Sequence, residues 1–114
     1  MSERKSSRTD DGTDALRITS QFRTREGMAY ELRDHGARLT VLITETRGEA
    51  AAAAWRVEAF ASLTPAVTIS HTAPTRREAL QRTGGGWELG AREHNLPTFD
   101  WDAVARALAV VRAI

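Results

Sequence analysis

Apolar and polar residues alternate through the middle of the chain and then switch to a three-to-four-residue spacing, which predicts strands first and helices after. The clearest alternation runs from Met28 to Thr44. If His35-Gly36 forms a two-residue turn, Leu32 lies opposite Leu39, Tyr30 opposite Val41 and Met28 opposite Ile43, all on one face. Glu31 with Thr40 and Arg33 with Arg38 then fall on the other face. A slip of one residue would mix the two sets, so the register is specified by the sequence itself. His35 is read as a turn residue, since histidine tolerates positive φ better than most side chains.

Two more strands follow. Residues 55–61 place Trp55, Val57, Ala59 and Ala61 on one face and Arg56 and Glu58 on the other, with Phe60 on the polar side, where it suggests a bulge, a sheet edge or a contact with a partner. Leu63-Thr64-Pro65 breaks this strand. Val67, Ile69 and His71 then align on a fourth. The alanine-rich residues 46–54 lack large apolar anchors and are expected to form a loop. Upstream, Leu16, Ile18 and Phe22 at even spacing allow a short strand on the sheet edge. Residues 1–14 have no apolar residue after Met1 and are expected to form a disordered tail, leaving residues 15–114 as one domain.

The spacing changes at Thr75-Arg76-Arg77-Glu78, which fits a capping box opening a helix. Leu80, Thr83/Gly84, Trp87 and Ala91 form its apolar stripe, and Asn95-Leu96-Pro97 its stop. The obstacle is Gly84-Gly85-Gly86, at roughly 0.8 to 1 kcal/mol per glycine in a helix interior. One continuous helix is preferred over two short ones because the stripe keeps its phase across the glycines. A second helix starts at Asp100 as N-cap, with Phe99 and Val104 as a hydrophobic staple and Trp101, Val104, Leu108 and Val111 on one face.

The predicted fold is therefore α+β: a four-stranded antiparallel meander with two C-terminal helices packed on one face. Trp55, Val57, Ile69, Leu80, Trp87, Trp101, Val104 and Leu108 are its expected core.

Composition narrows the function classes more than it names one. With 41% hydrophobic and 27% charged residues in 114, the chain has the make-up of an ordinary globular domain. No apolar run approaches the ~18 residues of a membrane span, and the first residues lack the apolar segment of a secretory leader, so a cytoplasmic location is the default expectation. Arginine almost to the exclusion of lysine, with abundant alanine, suggests a GC-rich bacterial genome. The absence of cysteine removes disulfides, thiolate nucleophiles and cysteine-held metals. Formal charge is +1, and from residue 29 onward ten arginines balance ten acids, which disfavours an extended nucleic-acid surface.

Candidate chemistry is sparse. His35, His71 and His94 occupy a turn, a strand end and a helix end, without the spacing of a metal pair, and the glycine triplet lacks the lysine of a phosphate loop. Neither a metal nor a cofactor is expected, and an enzyme less than a non-enzymatic domain. The preferred reading is a small interaction or regulatory domain that forms a homodimer through its sheet, with Phe60 as a candidate contact residue; Trp87 is a further candidate binding residue.

The alternative is nucleic-acid binding through Arg76 and Arg77 beside the first helix's N-terminal amides. This strand-then-basic-helix corner around Thr75-Arg76-Arg77-Glu78-Ala79-Leu80 resembles that of double-stranded RNA-binding domains, and its order of elements that of small HicB-type antitoxins. The chain departs from both. The helix that precedes the sheet in the first family is missing, as is the proline-glycine segment before the helix in the second. A third reading is a ligand pocket between sheet and helices near Trp87 and His71.

Overall fold

The computed structural model describes residues 16–47, 53–61 and 64–114. The expected tail at residues 1–14 and the central part of the expected 46–54 loop lie outside the described residues. Five strands run in sequence order as an antiparallel meander: β1 (Arg17–Arg23), β2 (Gly27–Asp34), β3 (Ala37–Arg47), β4 (Ala53–Ala61) and β5 (Thr64–Ala73). Two helices follow, α1 (Arg76–His94) and α2 (Trp101–Val110). The fold is α+β as read from the sequence, with five strands in place of four.

The extra strand is β1, whose weak alternation is explained by a register shift between Ile18 and Ser20. Ile18 pairs with Leu32 on the core side, whereas Phe22, past the shift, pairs with Ala29 and points to the opposite face. The even spacing of Leu16, Ile18 and Phe22 therefore does not describe one face. A bulge adds one residue and inverts the alternation beyond it. Thr24 closes the β1–β2 turn by accepting from the Gly27 N–H at 3.0 Å.

The β2–β3 hairpin has the predicted register, Leu32↔Leu39, Tyr30↔Val41 and Met28↔Ile43. His35 (φ 50°) and Gly36 (φ 89°) both take the left-handed backbone that a two-residue hairpin turn requires. Strands β3 and β4 extend further than expected, pairing Thr46 with Ala54 where the sequence suggested a loop. Backbone pairing to a neighbouring strand orders these residues without large side chains. Thr64, read as part of a break, is the first residue of β5.

Helix α1 is continuous through its three glycines, and its expected stripe of Leu80, Thr83, Gly84, Trp87 and Ala91 is buried, with Ala79 buried beside it. Thr75 Oγ1 accepts from the Glu78 N–H at 3.1 Å. The reciprocal arm of the capping box is replaced by an ion pair, Glu78 Oε2 binding Arg82 Nη2 at 2.7 Å. Asn95 ends the helix at φ 56°. The glycine cost of about 2 to 3 kcal/mol is outweighed by Trp87 alone. An aromatic of about 150 to 250 Å2, at about 25 cal/mol per Å2, contributes about 4 to 6 kcal/mol when buried.

Helix α1 lies over β4 and β5, and α2 beside it reaches β1. Asp100 caps α2 through its Oδ1, which accepts from the Asp102 and Ala103 N–H groups. Between sheet and helices, Leu32, Leu39, Val41, Val57, Trp87, Val104 and Leu108 are wholly buried. Trp55, Ile69 and Trp101 pack at the margin of this core, only partly covered. Val111, expected on the apolar face of α2, is exposed because the helix ends before it. The chain instead turns back at Arg112 (φ 61°), where Ala113 N–H reaches Leu108 O at 2.8 Å and buries Ala113. No described helix is long and apolar enough to cross a membrane.

Candidate functional site

Alternation puts two sets of side chains on the sheet. The inward set meets α1 and α2. The outward set forms rows that the pairing register defines: Phe22, Ala29, Leu42, Glu58 and Ser70 in one, Glu31, Thr40 and Phe60 in the next, and Thr44, Arg56 and Thr72 on the other side. Both described helices lie on the opposite face. Phe22, Leu42 and Phe60 with Ala29 make an apolar band across four strands, and Phe22 is 51% exposed. Charges of both signs border this band, with Arg56 Nε 3.6 Å from Glu58 Oε1.

The four residues singled out from the sequence do not come together. Phe60 belongs to the open face. Trp87 is on the other side of the sheet, fully buried, donating Nε1–H to Pro97 O at 2.9 Å and meeting Phe99 edge-on with ring centres 5.7 Å apart. Its surface is taken up by packing. Arg76 is held over the Trp55 ring, 4.8 Å from its centre, which stations its guanidinium on the protein instead of at the first-turn amides. Arg77 is exposed. The neighbouring Arg82 is also engaged, bonding Thr72 O at 2.9 Å as well as Glu78.

Of the residues expected to line a pocket, Trp87 is fully buried and His71 lies at the sheet margin against Gly86. A half-open hollow of about 330 Å3 sits elsewhere, between α1 and the start of α2. Gly84, Gly85, Glu88, Asp100, Trp101 and Asp102 are among the residues that line it. Among the described residues no three His, Asp or Glu side chains are grouped to hold a metal ion.

Phe22 and Leu42 were missed by sequence reasoning as members of an outward band. The signal for Leu42 was available, since the hairpin register that aligns Val41 and Ile43 inward leaves it outward with Ala29. For Phe22 no signal exists, because the Thr19 bulge has no glycine to mark it.

A scan against models of protein families finds no match for the chain, and searches of the curated proteins and of the solved structures find none.

Proposed function

We propose that this chain is a small non-enzymatic interaction domain whose open sheet face docks a second copy of itself. The observation that carries the reading is the apolar band of Phe22, Leu42 and Phe60 on the face opposite the helices. Contiguous apolar surface rimmed by polar residues is the usual mark of an interaction site. On this face, the 51% exposed Phe22 and the half-buried Phe60 keep aromatic surface that a partner would cover.

A second copy suits this face for two reasons. Acidic and basic residues are interspersed on it, Glu31 and Glu58 against Arg33, Arg38 and Arg56, so a two-fold partner can match opposite signs. Five strands about 4.8 Å apart, with about eight residues each at about 3.3 Å, offer roughly 600 Å2 before side-chain relief, close to the ~800 Å2 per partner of a stable interface.

Sedimentation of the full chain at micromolar concentration tests the reading. A dimer is expected, with Phe22→Glu and Phe60→Glu shifting it to monomer while circular dichroism stays unchanged. A monomeric wild type would remove its basis.

A further inference from the structure

Thr44 and Arg56 are direct cross-strand partners on the open face. Each holds a polar atom shut off from water, Thr44 Oγ1 and Arg56 Nε, with no hydrogen-bond partner among the described residues. Thr44 is only 6% exposed although no described helix covers it. Glu58, two residues along the same strand, stands 3.6 Å from Arg56 Nε, beyond the reach of an N–H···O bond. The side chains of Arg56 and Glu58 are otherwise 36% and 27% exposed, so each keeps charged surface that a partner of opposite sign can meet.

We infer that a second copy of the chain meets this pair: Glu58 of each chain binds Arg56 of the other, about a two-fold axis that crosses the strands above Val57. The inference rests on the self-docking reading and fixes its register. Rotation about this axis stacks each strand on its own copy in reverse direction, with the sheets about 10 Å apart. The row of Thr44, Arg56 and Thr72 then faces the row of Leu42, Glu58 and Ser70, so both ion pairs form at once. Phe60, three residues from the axis, lands on Ala54, whose small side chain leaves it room. Moving the axis by one residue places it over Arg56 or over Glu58 and sets like charges face to face. Charge thus selects the Val57 register and rejects its neighbours.

Charge-reversed variants of the full chain test the pairing by native mass spectrometry and sedimentation. Arg56→Glu and Glu58→Arg should each weaken the homodimer about tenfold or more. An equal mixture should recover a dimer of one chain of each kind, because a chain with two acids then meets a chain with two bases. Contact within one chain cannot produce this rescue.

A wild-type dimer whose single variants associate normally, or whose mixture stays monomeric, overturns the pairing and leaves self-docking standing. A monomeric wild type overturns both. Should a reversal unfold the chain, Arg56→Gln and Glu58→Gln serve instead. Each should flatten the salt dependence of the dimer dissociation constant, and an unchanged salt dependence overturns the pairing.

Discussion

Gly84 of α1 lies flat against the indole of Trp101 on α2: a Cβ placed on Gly84 would stand 2.9 Å from Trp101 Cγ and 3.0 Å from its Cδ2. Trp101 in turn tilts against Trp87, ring centres 5.8 Å apart, and meets Phe99 edge-on. The absence of a side chain at one position thus lets three aromatic rings join the two helices.

The three consecutive glycines should therefore respond differently to alanine. Gly84→Ala pushes into Trp101 and should destabilise by about 1 to 3 kcal/mol despite alanine's better helix propensity. Gly85 has nothing within 4 Å of its would-be Cβ, so Gly85→Ala should stabilise by about 0.5 to 1 kcal/mol. At Gly86 the Cβ would come 2.7 Å from His71 Nε2 and 3.1 Å from Ile69 Cγ2. His71 is exposed and its ring can swing aside, so Gly86→Ala should fall between the other two. Urea unfolding of the three variants gives the order, and a Gly84→Ala protein as stable as Gly85→Ala would contradict the packing argument.

Arg112 occupies the left-handed position of the turn that ends α2, at φ 61°. A residue with a Cβ costs about 1 to 2 kcal/mol there, and glycine avoids that cost. Arg112→Gly should raise stability by about 1 kcal/mol in thermal unfolding. The bond from Ala113 N–H to Leu108 O would remain. A lowered melting temperature would show that the Arg112 side chain contributes something beyond the turn.

Capping gives a separate check on α2. Asp100 Oδ1 accepts two backbone N–H groups, at 3.1 and 3.2 Å. Asp100→Ala should cost about 1 kcal/mol, whereas Asp100→Asn keeps an acceptor and should retain most of the stability. Equal losses in both variants would point to the charge at the helix end, not the hydrogen bonds, as the stabilising factor.

What the sequence disclosed follows from the range of the physics involved. The β2–β3 register was legible because turn chemistry at His35-Gly36 and alternation on both strands are local and agree. Helix limits at Thr75, Asn95 and Asp100 were legible for the same reason, since a cap is defined within four residues. Less could be seen where a long-range contact decides. The close approach of Trp101 that tolerates Gly84 depends on how two helices meet. The side of the sheet that Phe22 faces depends on a bulge in β1, and the cross-strand meeting of Thr44 with Arg56 on a pairing set beyond the hairpin. Of the outward apolar band, only Phe60 announced itself, as an aromatic residue out of phase with its strand.

Arg76 and Arg77 are adjacent in sequence but differ in surroundings, and that difference is measurable. Arg76 packs its guanidinium on Trp55, while Arg77 points to solvent. An exposed cation–π contact is worth about 0.5 to 1 kcal/mol, so Arg76→Ala should destabilise by that amount and change the fluorescence of Trp55. Arg77→Ala should stay within about 0.5 kcal/mol of the parent, as surface substitutions without a partner usually do. Arg76→Lys sharpens the comparison, because a lysine keeps the charge but loses the flat guanidinium that stacks on the ring. A loss in Arg76→Lys approaching that of Arg76→Ala would assign the contribution to stacking. Equal, negligible losses at both positions would mean that the Trp55 contact does not stabilise the fold, leaving both arginines available to a polyanion.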